Sequence, residues 1–193
     1  YNTYMYCAEE NRLRSWISMP MVVGINDRSR ATKDALLSDK LRMAEGLLSA
    51  SGEKTFWDRS TLYTLRGLFN AGYSDEALEL LEKFSTARLL GEHIPYSVEA
   101  FPEGNQAQLS AESGLYLRIF TEGILGIRPT GFGKFAMTPN LPKSWEFMEC
   151  SKLKFAGKIV DIKVSRIKSN YLVDLKINGK CAQFEGKNFE IQL

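Results

Sequence analysis

The chain is poor in the residues that most often bind metals or carry redox chemistry. Its 193 residues include one histidine, His93, and three cysteines, Cys7, Cys150 and Cys181. The cysteines are widely spaced and form no C-x-x-C pair, so the sequence contains no zinc or redox motif. An odd number of cysteines also argues against a dense disulfide framework. We therefore expect no metal site and no cofactor, and we expect the cysteines to be buried free thiols.

Strong net charge and long apolar runs are also lacking. The formal net charge is only +2, which is too small to indicate binding to nucleic acid or to an anionic membrane. No run of about 18 apolar residues exists, so no membrane span is predicted. Hydrophobic residues make up 44% of the chain, enough for a real core. The chain begins with Tyr1 and shows no signal peptide, so we expect it to be a piece of a longer protein.

Helical patterns fill the first two-thirds of the chain. Apolar residues at helical spacing predict helices within residues 26–41, 57–72, 75–91 and 108–127. Gly72 stands where a helix-ending glycine belongs, and Ser74 is expected to cap the next helix. Because the connection at residues 72–74 is short, these two helices are predicted to pack as an antiparallel hairpin.

From Arg128 onward the pattern changes to short alternating segments separated by Gly, Pro and Asn. Apolar and polar residues alternate over 159–165, which is typical of a half-buried strand. The Asn178-Gly179 pair predicts a hairpin. The predicted fold class is thus mainly α with a C-terminal β module. A helical-hairpin domain is expected over residues 1–127 and an antiparallel β domain over 128–193.

Several segments together resemble the C-terminal part of the six-hairpin toroid glycosidases, a superfamily that includes glucoamylases, maltose phosphorylases and bacterial α-L-rhamnosidases. They are WDRSTLY (57–63), EAFPEGNQAQLSAESGLY (99–116), EGILGIRP (122–129) and TPNLPKSW (138–145). The resemblance covers nearly the whole chain. It implies a partial (α/α)6 toroid of helical hairpins followed by a small antiparallel β-sandwich. It also implies that missing upstream chain supplies the rest of the toroid, and that the protein is periplasmic or secreted.

The resemblance places the chemistry in the segment 99–116. Inverting glycoside hydrolysis needs two carboxyl groups roughly 6.5–9.5 Å apart, so that a water fits beside the sugar. Glucoamylases carry their general base in a Ser-Glu-Gln or Pro-Glu-Gln loop ahead of the last inner helix, and Glu103 matches that position, with Gly104 in place of Gln. Glu99 is the rival candidate for the base, or a sugar ligand. The general acid is expected upstream of Tyr1, so this piece alone is expected to be inactive.

The same resemblance bears on the nucleophile. In maltose phosphorylases the start of the corresponding helix supplies a His and a Ser that bind phosphate. This chain has Gln108 and Ser110 there. A carboxylate at Glu103 would repel phosphate, which favours water and hence hydrolysis. A sugar phosphorylase and a non-catalytic carbohydrate-binding or structural protein remain alternatives, because fold does not fix function. In each case the expected partner is a carbohydrate.

Three consecutive residues are further substrate-binding candidates, together with Gln108. Trp57 and Asp58 could offer an apolar surface and a hydrogen-bond acceptor to a sugar, or they could pack in the core and cap a helix. Arg59 could pair with Asp58 or with a substrate carboxylate.

Glu112 lies on the apolar face of its predicted helix, where a charge must be paired or exposed to a cavity. It is expected to form a buried salt bridge, with Arg118 or Arg59 as partner, or to line the substrate site. For His93 a hydrogen-bonded structural role is expected.

Overall fold

The structure, a computed structural model, describes residues 1–90, 100–101 and 111–193. It divides into two compact units, Tyr1–Phe120 and Thr121–Leu193, called here the N-terminal and C-terminal units. In the part of the chain that is described, no helix is long and apolar enough to cross a membrane.

The N-terminal unit is built around one central helix, α3. The helical elements of the unit are a 3-10 turn at Ser15–Ser18, α1 (Met19–Val22), α2 (Ser29–Leu36), α3 (Asp58–Asn70), α4 (Ser74–Leu89) and α5 (Ala111–Arg118). Helix α5 continues into a π-helical turn at Ile119–Ile124. The apolar side of α3 is fully buried at Leu62, Leu65, Leu68 and Phe69. α3 contacts the 3-10 turn, α1, α4 and α5, whereas α2 packs against the 3-10 turn.

Of the two residues predicted to shape the turn between α3 and α4, one behaves as predicted. Gly72 adopts φ +83°, as a helix-ending glycine does. Ser74, however, is the first residue of α4, and the N-cap position is held by Tyr73 with no side-chain capping bond. The prediction of a Ser74 cap was therefore wrong, while the predicted helices on either side are confirmed.

Among the described residues of this unit, two small antiparallel strand pairs interrupt the helices. β1 (Arg42–Met43) pairs with β2 (Gly46–Leu47), and β3 (Phe56–Trp57) pairs with β4 (Ala100–Phe101). In the second pair Trp57 lies opposite Ala100 and Phe56 opposite Phe101. This second pair matters for the site, because β3 leads directly into α3.

Two antiparallel sheets form the C-terminal unit. The first has the order β10-β9-β8-β7 and the second the order β11-β6-β5. The strands are β5 (Ile127–Gly131), β6 (Lys134–Met137), β7 (Phe147–Phe155), β8 (Lys158–Ile167), β9 (Asn170–Ile177), β10 (Lys180–Gly186) and β11 (Phe189–Gln192). The ring of Phe135 on β6 lies 5.1 Å from that of Phe155 on β7, so the two sheets share apolar contacts.

The strand prediction for residues 159–165 is confirmed, since Val160, Ile162 and Val164 on β8 are buried in alternation. The hairpin prediction is confirmed as well. Asn178 and Gly179 connect β9 to β10 with φ of +46° and +87°, the left-handed values that a tight two-residue hairpin requires.

One edge of the four-stranded sheet carries a bulge. The pairing of β7 with β8 shifts between Cys150 and Leu153, and Lys152 within the shift adopts φ +59°. The Lys152 backbone N–H donates to Asp161 Oδ1 at 2.7 Å, which replaces the ladder bond lost at the bulge.

The predicted fold class, a mainly α chain built as a partial (α/α)6 toroid, was wrong, whereas the antiparallel strands expected after residue 127 are present in two sheets. Helix accounts for 34% of the structure and strand for 32%, and the α-helices in the described ranges number five. The physical reason lies partly in the strand pairs of the N-terminal unit, which are two residues long and carry no readable period. Residues 45–56, which lie between two predicted helices, contribute β2 and the start of β3.

The three cysteines are free thiols, as expected, but their predicted burial was wrong. Cys7 and Cys181 are exposed and Cys150 is half-buried.

Candidate functional site

The structure describes three of the six residues that the sequence proposes for the site. Trp57 ends β3, and Asp58 and Arg59 begin α3. The other three residues lie outside the described ranges; they are Glu99, Glu103 and Gln108. The same holds for His93.

Asp58 is held in a buried ion pair and does not cap its helix. Nε of Arg88, on α4, donates to Asp58 Oδ1 at 3.2 Å, and both side chains are at most 1% exposed. Trp57 holds the N-cap position and makes no side-chain capping bond. The interpretation of Asp58 as a helix cap was therefore wrong. The carboxylate instead compensates a buried guanidinium, and neither group would be tolerated at this depth without its partner.

Arg88 extends this pair to a third residue. Its Nη1 donates to Glu45 Oε2 at 3.0 Å, and the Glu45 side chain is 47% exposed. The guanidinium also lies 5.3 Å from the centre of the Phe56 ring, close enough for a cation–π contact. Arg88 thus ties α4 to β3 and to the start of α3.

Glu112 takes one of the two roles expected for it, the buried salt bridge. Arg59 Nε donates to Glu112 Oε1 at 2.7 Å, and the Glu112 side chain is fully buried. Of the two expected partners, Arg59 is the one observed. The second oxygen, Oε2, has no hydrogen-bond partner among the residues that the structure describes.

Trp57 belongs to an aromatic cluster that the sequence did not reveal. Its ring meets Trp16 edge to face, with the ring centres 5.3 Å apart and the planes at 85°. Tyr63 on α3 lies 5.8 Å from Trp16. Trp57 is half-buried, so part of its surface stays open to a ligand.

Sequence reasoning missed Trp16, Glu45 and the burial of Arg88. A usable signal existed for Arg88, because Ala77, Phe84 and Arg88 fall on one face of α4 at helical spacing. A cation in the last turn of a helix also complements the helix dipole, so its charge alone does not indicate burial. For Trp16 and Glu45 no comparable local pattern exists.

The two carboxylates link helices of the N-terminal unit. Asp58 pairs with Arg88 and so joins α3 to α4, and Glu112 pairs with Arg59 and so joins α5 to α3. Trp57, which directly precedes Asp58, is paired with Ala100 on β4. Within the described residues, no group of three or more His, Cys, Asp or Glu side chains is placed to hold a metal ion.

Comparison with known proteins identifies a similar fold. No family model matches the chain, and no curated protein matches it. A solved structure titled Sialidase is similar, with a TM-score of 0.64 and 17% sequence identity. The match covers 89% of this chain and 20% of that one, so this chain spans only a fifth of its length. At this identity the likeness concerns the fold, and the relationship to the toroid glycosidases stays a prediction.

Proposed function

We propose that the chain is part of a glycoside hydrolase and acts on a carbohydrate. The observation that carries this proposal is the similarity in fold, at a TM-score of 0.64 over 89% of the chain, to a structure titled Sialidase. A sialidase is a glycoside hydrolase. The sequence resemblance described above supports the same reaction class, and it rests on motifs rather than on geometry.

The described residues supply a firm base for such a site. Trp57 pairs in register with Ala100, the sequence neighbour of Glu99. Asp58 and Arg59, one from each arginine–carboxylate pair, directly follow Trp57 at the start of α3. Catalytic groups must be held to within about 0.5 Å by packing and hydrogen bonds around them. In this proposal Asp58 and Glu112 are positioning residues, and Trp57 presents a surface to a sugar ring.

The proposed mechanism is inverting. Glu103, ionised, takes a proton from a water molecule, and that water attacks the anomeric carbon on the face opposite the leaving group. A general acid outside this chain protonates the leaving oxygen. Glu99 is the alternative base, and Gln108 is a proposed hydrogen-bond partner of the substrate. Water therefore adds across the glycosidic bond with inversion at the anomeric carbon.

The test uses the full-length protein and a panel of aryl glycosides that includes an aryl sialoside. We expect Glu103→Gln to lower kcat by about 100- to 10,000-fold, the usual scale for loss of a general base. Glu185→Gln makes the same chemical change on the exposed strand β10 and should leave kcat unchanged. NMR of the first-formed product reports whether the anomeric configuration inverts.

Full turnover in both Glu103→Gln and Glu99→Gln would contradict the proposed base. Turnover that requires added phosphate would instead identify a sugar phosphorylase.

Carbohydrate binding without hydrolysis is the alternative function. Binding of oligosaccharides by a full-length protein that hydrolyses none of the panel would support it.

A further inference from the structure

A concave aromatic surface lies next to Trp57, outside the residues assigned above. Tyr4, Tyr6 and Trp16 line it together with Met19 and Pro20, and its volume is about 440 Å³. We call these five residues the aromatic cleft. Binding sites for small molecules commonly have this size and this mixture of aromatic and aliphatic walls.

One of the aromatic rings that line the cleft, that of Tyr6, is accessible to solvent. Tyr6 is 58% exposed, although the Arg14 guanidinium lies 5.1 Å from the centre of its ring. Arg14 is itself fixed by Glu10, with Nη2 and Oε2 2.6 Å apart. The ring is therefore supported by a paired cation and still presents surface to solvent.

Polar groups adjoin the apolar walls. A neighbouring cavity of about 280 Å³ shares Tyr4 and Tyr6 with the cleft and adds Glu10, Asn11 and Arg12. Carboxylate, amide and guanidinium groups can bond to hydroxyls, whereas the aromatic rings suit C–H faces. A pyranose ring combines these two kinds of surface, so its chemistry fits the junction between the cavities.

One wall of the cleft contacts the proposed site. Trp16 meets Trp57 edge to face at 5.3 Å. A sugar chain that starts at Trp57 and extends past Trp16 would meet Tyr6, which lines the same cleft as Trp16.

We propose that the aromatic cleft is a further sugar-binding subsite, in which a pyranose ring of an oligosaccharide stacks on Tyr6 and Trp16. This inference rests on the proposed function and specifies its substrate class as an oligosaccharide of several units.

The test measures binding rather than turnover. The full-length protein is applied to a printed array of cello-, malto-, xylo- and mannohexaose with their disaccharides. We expect at least one hexasaccharide to bind, and Tyr6→Ala to weaken that binding by about tenfold, the scale of one aromatic contact. Binding of the disaccharides should not change. Tyr6→Phe retains the ring and should bind like the wild type.

Phe132→Ala is the matched control, because Phe132 is a 95% exposed aromatic residue in the C-terminal unit. It should bind like the wild type. Equal hexasaccharide affinity in the wild type and Tyr6→Ala would overturn the subsite, and so would the absence of any hexasaccharide binding.

The two proposals fail in different ways. Tyr6-dependent binding without hydrolysis of the aryl glycosides would support the subsite and refute the hydrolase. Hydrolysis of aryl glycosides, with hexasaccharide binding unaffected by Tyr6→Ala, would refute the subsite alone.

Discussion

Arg59 and Glu112 form a hydrogen-bonded ion pair that joins α3 to α5 across 53 positions of sequence, with Nε and Oε1 2.7 Å apart. The Glu112 side chain is fully buried and that of Arg59 is 32% exposed. A buried carboxylate is tolerated only with such a partner. The pair therefore fixes how the start of α5 lies against α3.

Replacing Arg59 should destabilise the protein strongly. We expect Arg59→Met to lower the free energy of unfolding by about 3 kcal/mol, because it leaves the Glu112 carboxylate buried without its guanidinium. The double variant Arg59→Met/Glu112→Leu should lose less than the sum of its single variants, with a coupling energy of about 1–3 kcal/mol. Urea denaturation of the four proteins measures this cycle.

An exposed pair provides the comparison for that cycle. Lys83 and Glu79 lie 2.8 Å apart on α4 with both side chains about half exposed, and their coupling should stay below about 1 kcal/mol. Additive effects at Arg59 and Glu112 would show that the buried pair contributes no more than a surface contact.

Substitution of two glycines should have opposite effects on stability. Gly126 adopts φ +64°, and a Cβ there would lie 1.9 Å from the Thr138 carbonyl oxygen. We expect Gly126→Ala to lower the free energy of unfolding by about 3 kcal/mol or more, through both strain and overlap. Gly114 lies within α5, and a Cβ added there would meet nothing within 4 Å. Gly114→Ala should therefore raise stability by about 0.5–1 kcal/mol.

Thermal denaturation of both glycine variants decides this prediction. Equal stability of the wild type and Gly126→Ala would contradict it, because the backbone would then have to move away from Thr138 without a cost in free energy.

The Glu10 carboxyl group should contribute a stability that depends on pH. Its pKa is lowered from 4.5 to about 2, first by the Arg14 hydrogen bond and then by the backbone and side chain of Arg12. A folded-state pKa below the unfolded one gives stability that is present above about pH 4.5 and is lost as the pH falls toward 2. The stability difference between wild type and Glu10→Gln should therefore shrink over that range.

A carboxyl NMR titration provides the direct measurement, with an expected midpoint near pH 2 for Glu10. Glu9→Gln controls for the loss of one negative charge from the same segment. A stability difference that stays constant from pH 5 down to pH 2 would contradict the prediction.

Local patterns predicted local structure well. The apolar spacing of Leu62, Leu65 and Phe69 located α3, because a helix that buries one face must repeat its apolar residues every three to four positions. The alternation around Ile162 located β8 for the corresponding reason in strands. Asn178-Gly179 located a hairpin, because few other residue pairs adopt two left-handed conformations in succession.

Features that depend on distant partners were not predictable in the same way. Asp58 looked like a helix cap because caps are the usual role of an aspartate at a helix start. Its actual partner, Arg88, is 30 residues away, and no local period records that contact. The pairing of Trp57 with Ala100 is likewise set by tertiary structure. The sequence thus located α3 and offered Arg59 as a partner of Glu112, while the Arg88–Asp58 pair and the pairing of Trp57 with Ala100 were missed.

The bulge of β7 has a consequence for how molecules of this protein meet in solution. An outermost strand offers free backbone groups that can recruit a strand from another molecule and begin fibrous aggregation. At Lys152 the left-handed backbone interrupts the regular pairing of that strand, and its N–H bonds to Asp161 on the neighbouring strand β8. We therefore expect this irregular, lysine-bearing edge to be a poor template for a strand from a second molecule.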